Sequence, residues 1–137
     1  MSIEEENKAL VRQFYDLLNL KKLDTVFELL DPGFVSHYST GDKSLEINRQ
    51  FWPTFYTAFP DIKLTFNHMV AEGDKVAFQE YLTGTHKGEF MGIAATGRKV
   101  ELINTCIVRI ANCKLMESWC TMDDLRLMQQ LGVFPKQ

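Results

Sequence analysis

The stretch RKVELINTCIVRIANCKLMESWCT, residues 98–121, decides the fold. It is rich in Val, Ile, Leu and Thr, the residues that suit a pleated surface, and Ala111-Asn112-Cys113 interrupts it. It reads as two antiparallel strands, 98–110 and 114–121, joined by a tight connection. A second hairpin precedes it, with strands over 62–71 and 75–86 meeting at Glu72-Gly73-Asp74. Between the two hairpins, residues 87–97 form a crossing marked by Gly88, Gly92 and Gly97.

Upstream of residue 62 the pattern is helical. Ser2 with Glu5 has the form of a capping box, and Leu10, Phe14, Leu17 and Leu18 recur at helical spacing, so residues 3–19 are predicted to be an amphipathic helix. Asp24 is expected to cap a short helix over 25–30 that Asp31-Pro32-Gly33 stops. Residues 34–37 are extended and 39–42 are a loop. A third helix over 43–58 carries Leu45, Ile47, Phe51, Trp52, Phe55 and Tyr56, with a kink expected at Pro53. A last helix, 122–131, stops at Gly132. Helices first and strands afterwards define an α+β chain in one domain of 137 residues. The expected architecture is a cone-shaped, curved antiparallel sheet packed against three N-terminal helices. Short helices do not fill a strongly bent sheet, so a hollow is expected between the two layers.

Eighteen acidic against fifteen basic residues leave no cationic excess for a phosphate backbone, so no nucleic-acid partner is expected. No apolar run approaches the roughly 18 residues of a membrane span. The acidic opening Met1–Glu6 does not read as a signal peptide. Cys106, Cys113 and Cys120 are spaced for neither a disulfide framework nor a zinc site, which points to a cytoplasmic, reducing setting and no metal.

Strand alternation nominates the lining of the hollow. Along 98–110 one face carries Leu102, Asn104, Cys106 and Val108; along 114–121 one face carries Met116, Ser118 and Cys120, the other Leu115, Glu117 and Trp119. If Ala111 pairs with Leu115, Cys106 and Cys120 stand directly opposite. A two-residue loop instead puts them out of register and on opposite faces. Glu80, set among Phe78, Tyr81 and Leu82, is either an inward carboxyl of raised pKa or an outward partner for an Arg109 across a dimer.

Seven segments then occur in order: residues 6–15, Asp31–His37, Ala58–Asp61, Val70–Val76, Gly84–Ile93, Thr96–Arg98 and Leu127–Gly132. Together they resemble the SnoaL-like polyketide cyclases (ester cyclases) of the nuclear transport factor 2-like superfamily. The resemblance implies a cone-shaped α+β barrel with an apolar cavity for a small polyketide- or ester-like molecule, and a homodimer formed through the outer sheet face. It also implies a cofactor-free intramolecular aldol ring closure, with an Asp on the last strand as general acid/base. At that position this chain has Cys120, and Cys106 matches the polar residue of the preceding strand. The remaining catalytic candidates are His37 and His86, for polarising a carbonyl, and Asp123, as a replacement acid. Trp52, Phe55, Phe59, Asn104, Cys106 and Ser118 are the candidate ligand-binding residues. The rival expectation is a carrier that keeps the cavity and has lost the acid.

Overall fold

The computed structural model describes residues 1–133. Helix α1 spans Ile3–Asn19, and the Ser2 side chain accepts the Glu5 N–H as its cap. It buries Val11, Tyr15 and Leu18, one stripe at a spacing of three to four residues. Helix α2 is Leu23–Glu28, with Lys22 at the N-cap position making no side-chain cap bond. Asp24 therefore sits inside the first turn, where its charge favours the helix dipole, and does not cap.

The chain passes directly into strand β1, Leu30–Tyr38. Asp31-Pro32-Gly33 does not precede this strand; it forms an irregularity within it, where Asp31 Oδ2 accepts the Gly33 N–H at 2.8 Å. The predicted loop at 39–42 is the turn into a short strand β2, Gly41–Ser44, paired antiparallel to β1. Helix α3, Leu45–Ala58, begins only after Ser44, whose side chain accepts the Ile47 N–H, and it runs on through Pro53. Strands β3 (Lys63–Glu72), β4 (Lys75–Thr85), β5 (Lys99–Ala111) and β6 (Lys114–Thr121) are the two predicted hairpins within a residue or two. Helix α4, Asp124–Leu131, ends at Gly132 in the left-handed conformation, φ 78°.

The six strands form one curved sheet in the order β2-β1-β6-β5-β4-β3. Neighbours are antiparallel except β1 and β6, which run parallel; the chain returns to β1's flank after five intervening elements. The sheet is not closed: β2 and β3 remain edges, so the arrangement is an open cone and not a complete barrel. On edge strand β3 the pairing to β4 slips between Asn67 and Val70, and His68 takes φ 54° there.

The β5–β6 hairpin resolves the register of the cysteines. Asn112 and Cys113 form a two-residue turn with φ of 52° and 60°, so Ala111 pairs with Lys114 and Ile110 with Leu115. A bulge follows at once, and beyond it Arg109 pairs with Glu117 and Cys106 with Cys120. One extra residue exchanges the two faces of the strand. Leu115 therefore joins Ser118 on the buried side, although simple alternation separates them.

Side-chain bonds tie the helices to the sheet and to each other. The Asn19 amide donates to the Leu64 carbonyl at 2.7 Å and accepts the Leu64 N–H at 2.8 Å, and the Tyr56 hydroxyl donates to the Leu18 carbonyl at 2.6 Å. The Gly-rich crossing is held against α3, where Lys87 and Gly88 both donate backbone N–H groups to the Ala58 carbonyl. A Cβ at Gly88 would stand 2.6 Å from the Thr57 carbonyl oxygen, a backbone atom that moves only with the helix end. Gly88→Ala is expected to cost about 1–3 kcal/mol in chemical unfolding, the range for forced overpacking.

Candidate active site

Between the sheet and α3 lies a cavity of about 350 Å³. Its walls are largely apolar, with Phe51, Trp52 and Phe55 from α3, Leu64 and Leu82 from the sheet, and Phe90 from the crossing. The spacing of Phe51, Trp52 and Phe55 puts all three on one helical face, and their rings contact one another with centroids 5.2–5.7 Å apart. Polar groups enter from Tyr38, Asn48, Glu80 and Cys120, and from Ser39, Thr40, Lys43 and Asp124. A smaller hollow of about 50 Å³ shares Tyr38, Asn48, Trp52 and Cys120 with it and adds Tyr15, Cys106 and Ser118.

Glu80 is the inward carboxyl of this site; Asp124, the other acid on the lining, is exposed and accepts from the Ser39 hydroxyl at 2.9 Å. On β4 Glu80 alternates with the buried Phe78 and Leu82, so the pleat turns it inward. The Tyr15 hydroxyl donates to Oε2 at 2.5 Å and the Asn104 amide donates to Oε1 at 3.0 Å. Asn104 is fully buried, and its carbonyl oxygen accepts the Asp123 N–H at 3.1 Å, which fixes the direction of the amide. Burial pushes the Glu80 carboxyl above the usual carboxylate range, and the two donors pull part of the way back. Burial, followed by Cys120 and Glu80, raises the Tyr38 phenol, and burial and Glu80 raise that of Tyr15. Both hydroxyls therefore remain protonated donors at neutral pH.

The sequence candidates divide. Trp52, Phe55 and Cys120 line the main cavity, Cys106 and Ser118 the inner hollow, and Asn104 acts on Glu80. Phe59 is 1% exposed and belongs to the core. Asp123 is exposed and caps α4 by accepting the Arg126 N–H. His86 is fully buried and lines neither hollow. Its Nδ1 accepts the Thr96 N–H, which places the ring proton on Nε2, and its backbone pairs with Gly97 and Arg98. It thereby braces the Gly-rich crossing.

His37 lies on the other side of the sheet. It is stacked on Trp119, with Nδ1 2.7 Å from Asp42 and Nε2 2.6 Å from Glu117; Arg109 also reaches Glu117, at 3.3 Å. The bonds to Glu117 and Asp42 raise the His37 pKa from its ordinary 6.5, and the bond from His37 lowers that of Glu117 from 4.5. The imidazolium's contribution to stability is complete below pH 6.5 and is lost as pH rises through the raised value. The carboxylate's contribution is complete above pH 4.5 and is lost as pH falls through the lowered value. His37→Gln should therefore lower the melting temperature most between about pH 4.5 and 6.5 and converge on the parent at alkaline pH.

Tyr15 and Tyr38 are site residues that sequence reasoning missed. A signal for Tyr15 was present: it shares the buried stripe of α1, and a buried tyrosine hydroxyl requires a polar partner from elsewhere in the chain.

The profile of the SnoaL-like polyketide cyclases matches residues 8–131. No curated protein is significantly similar in sequence. Among solved structures, AclR from Streptomyces galilaeus, described as a candidate hydroxylase, is 29% identical, with a TM-score of 0.88 over 96% of this chain and 99% of that one. IdmH from Streptomyces antibioticus, a candidate polyketide cyclase, is 28% identical, with a TM-score of 0.80 over 93% and 99%. A candidate SnoaL-like polyketide cyclase from Jannaschia is 25% identical, with a TM-score of 0.88 over 98% and 97%.

Proposed function

This chain belongs to the SnoaL-like polyketide cyclase family, and from that premise we propose that it closes a ring in a small, mostly apolar ester by acid/base chemistry, with Glu80 as the acid/base. The observation that carries the reading is a carboxyl group that lines an apolar cavity and is held there by Tyr15 and Asn104. As carboxylate, Glu80 removes a proton from the carbon next to a carbonyl. The enolate attacks a second carbonyl of the same molecule, and the protonated Glu80 returns its proton to the alkoxide formed. The Tyr38 hydroxyl, which remains protonated, supplies a donor to the developing oxyanion. A carboxyl of raised pKa suits both halves of this cycle, which a thiol at residue 120 does not. The similar structures are described by two different chemistries, so the reaction is assigned from the site and not from the fold.

The outer face of β5 exposes Ile103 and Ile107, and these support pairing of two copies through the sheet. No helix among the described residues is long and apolar enough to cross a membrane.

The test is incubation in heavy water with an aromatic methyl ester that carries an activated methylene and a ketone placed for ring closure. Catalysed exchange of the methylene protons together with cyclisation is expected. Saturable binding without exchange would show a carrier that holds the ester without transforming it.

A further inference from the structure

Two thiols at the deep end of the cavity have no part in that chemistry. Cys106 and Cys120 are direct partners across β5 and β6, with their sulfurs 2.9 Å apart, and both are free. Opposed antiparallel residues have Cα atoms about 4.5–5.5 Å apart, inside the range that a disulfide spans. Access to them differs. Cys120 lines the main cavity and is half-buried, whereas Cys106 is 1% exposed and reaches only the inner hollow.

We propose that these cysteines form a dithiol exchange site that takes small, uncharged disulfides from the cavity, with Cys120 as the attacking thiol and Cys106 as the resolving one. The Cys120 sulfur attacks one sulfur of RS–SR, giving a mixed disulfide and releasing RSH, which carries away the Cys120 proton. The Cys106 sulfur then attacks the Cys120 sulfur, forming the Cys106–Cys120 bond and releasing a second RSH with the Cys106 proton. The protein loses two hydrogens and two electrons, and the small disulfide gains them. Size and charge define the class: the cavity holds about 350 Å³, its walls are mostly apolar, and the Glu80 carboxyl lies on the same wall. A large anionic disulfide fits none of these features. In the dithiol, the hydrogen bond with Cys120, burial and Glu80 push the Cys106 thiol up against an opposing bond with Tyr15; burial and Glu80 persist in the mixed disulfide, so the second step quickens as pH rises.

The experiment uses the full chain carrying Cys113→Ser, which removes the exposed turn thiol. It is incubated with bis(2-hydroxyethyl) disulfide, then unfolded, alkylated and weighed by mass spectrometry. The expected result is loss of both alkylatable thiols together, with no retained adduct and a peptide cross-link joining residues 106 and 120. Adding Cys106→Ala should arrest the reaction at one mercaptoethanol adduct on Cys120; if that variant does not fold, the cross-link in the parent decides. Glutathione disulfide, large and anionic, should react at least tenfold more slowly. Two thiols still alkylatable, a separate adduct on each, or equal rates with the two disulfides would each overturn the proposal.

Discussion

Glu80→Gln should reduce cyclisation and proton exchange by about 10²–10⁴-fold, the usual contribution of a positioned acid/base. Glutamine matches the shape of the side chain and can still accept from Asn104 through its oxygen, while its amide donates to the Tyr15 hydroxyl, so the site's geometry survives. The loss should fall on kcat, with ester binding little changed, because only proton transfer has been removed. The parent's rate should rise with pH through a limb lying above the ordinary carboxylate value of 4.5. Stability provides a readout that does not depend on turnover. With its folded-state pKa raised, Glu80 contributes stability that is complete below pH 4.5 and lost as pH rises through the folded value. The variant lacks this dependence, so its stability should gain on the parent over that interval. A variant that cyclises at the parent rate would remove Glu80 from the mechanism.

Phe59→Ala is expected to cost about 3–5 kcal/mol, the range for deleting a buried aromatic side chain. The ring is 1% exposed and meets Phe55, Phe90 and His86 with centroids 5.3–5.4 Å away. Gly84 is packed against it so closely that a Cβ there would lie 3.4 Å from it. Trp52→Ala provides the contrast, because Trp52 faces the cavity: its larger effect should be on ester affinity, about tenfold or more for the apolar area removed. Denaturant unfolding and ligand titration of both variants separate the two roles. Equal melting temperatures for Phe59→Ala and the parent would contradict the core assignment.

Local chemistry made much of this fold legible. The Ser2 cap, the α1 stripe and the Glu72-Gly73-Asp74 turn each depend on residues within a few positions of one another. What escaped depends on distant partners. The parallel pairing of β1 with β6 joins segments about eighty residues apart, and β2, a four-residue edge strand with no apolar residue, shows no alternation to read. The bulge after Leu115 carries no composition signal; it let a two-residue turn coexist with opposed cysteines, an outcome that neither register alone contained. At the site, alternation puts Asn104 and Cys106 on one strand face, and the structure buries both together with Ser118; Glu80 is open to two orientations from sequence. His37 and His86 are candidates by motif alone, and a motif does not show which side of a sheet a ring occupies or whether it reaches a cavity. The structure assigns one to an outer ion-pair cluster and the other to bracing a loop.

The slipped pairing at Asn67–Val70 bears on how the chain survives crowding. β3 ends the sheet; Asn19 occupies the outer backbone groups of Leu64, and the rest of that side offers groups that another copy's strand can match, the first step toward fibrils. The left-handed backbone at His68 breaks the even spacing of those groups midway along the strand and twists the segment locally, so an incoming strand meets two short, misaligned stretches in place of one long template. With Val70 62% exposed on the same strand, that interruption guards this edge against strand-to-strand association.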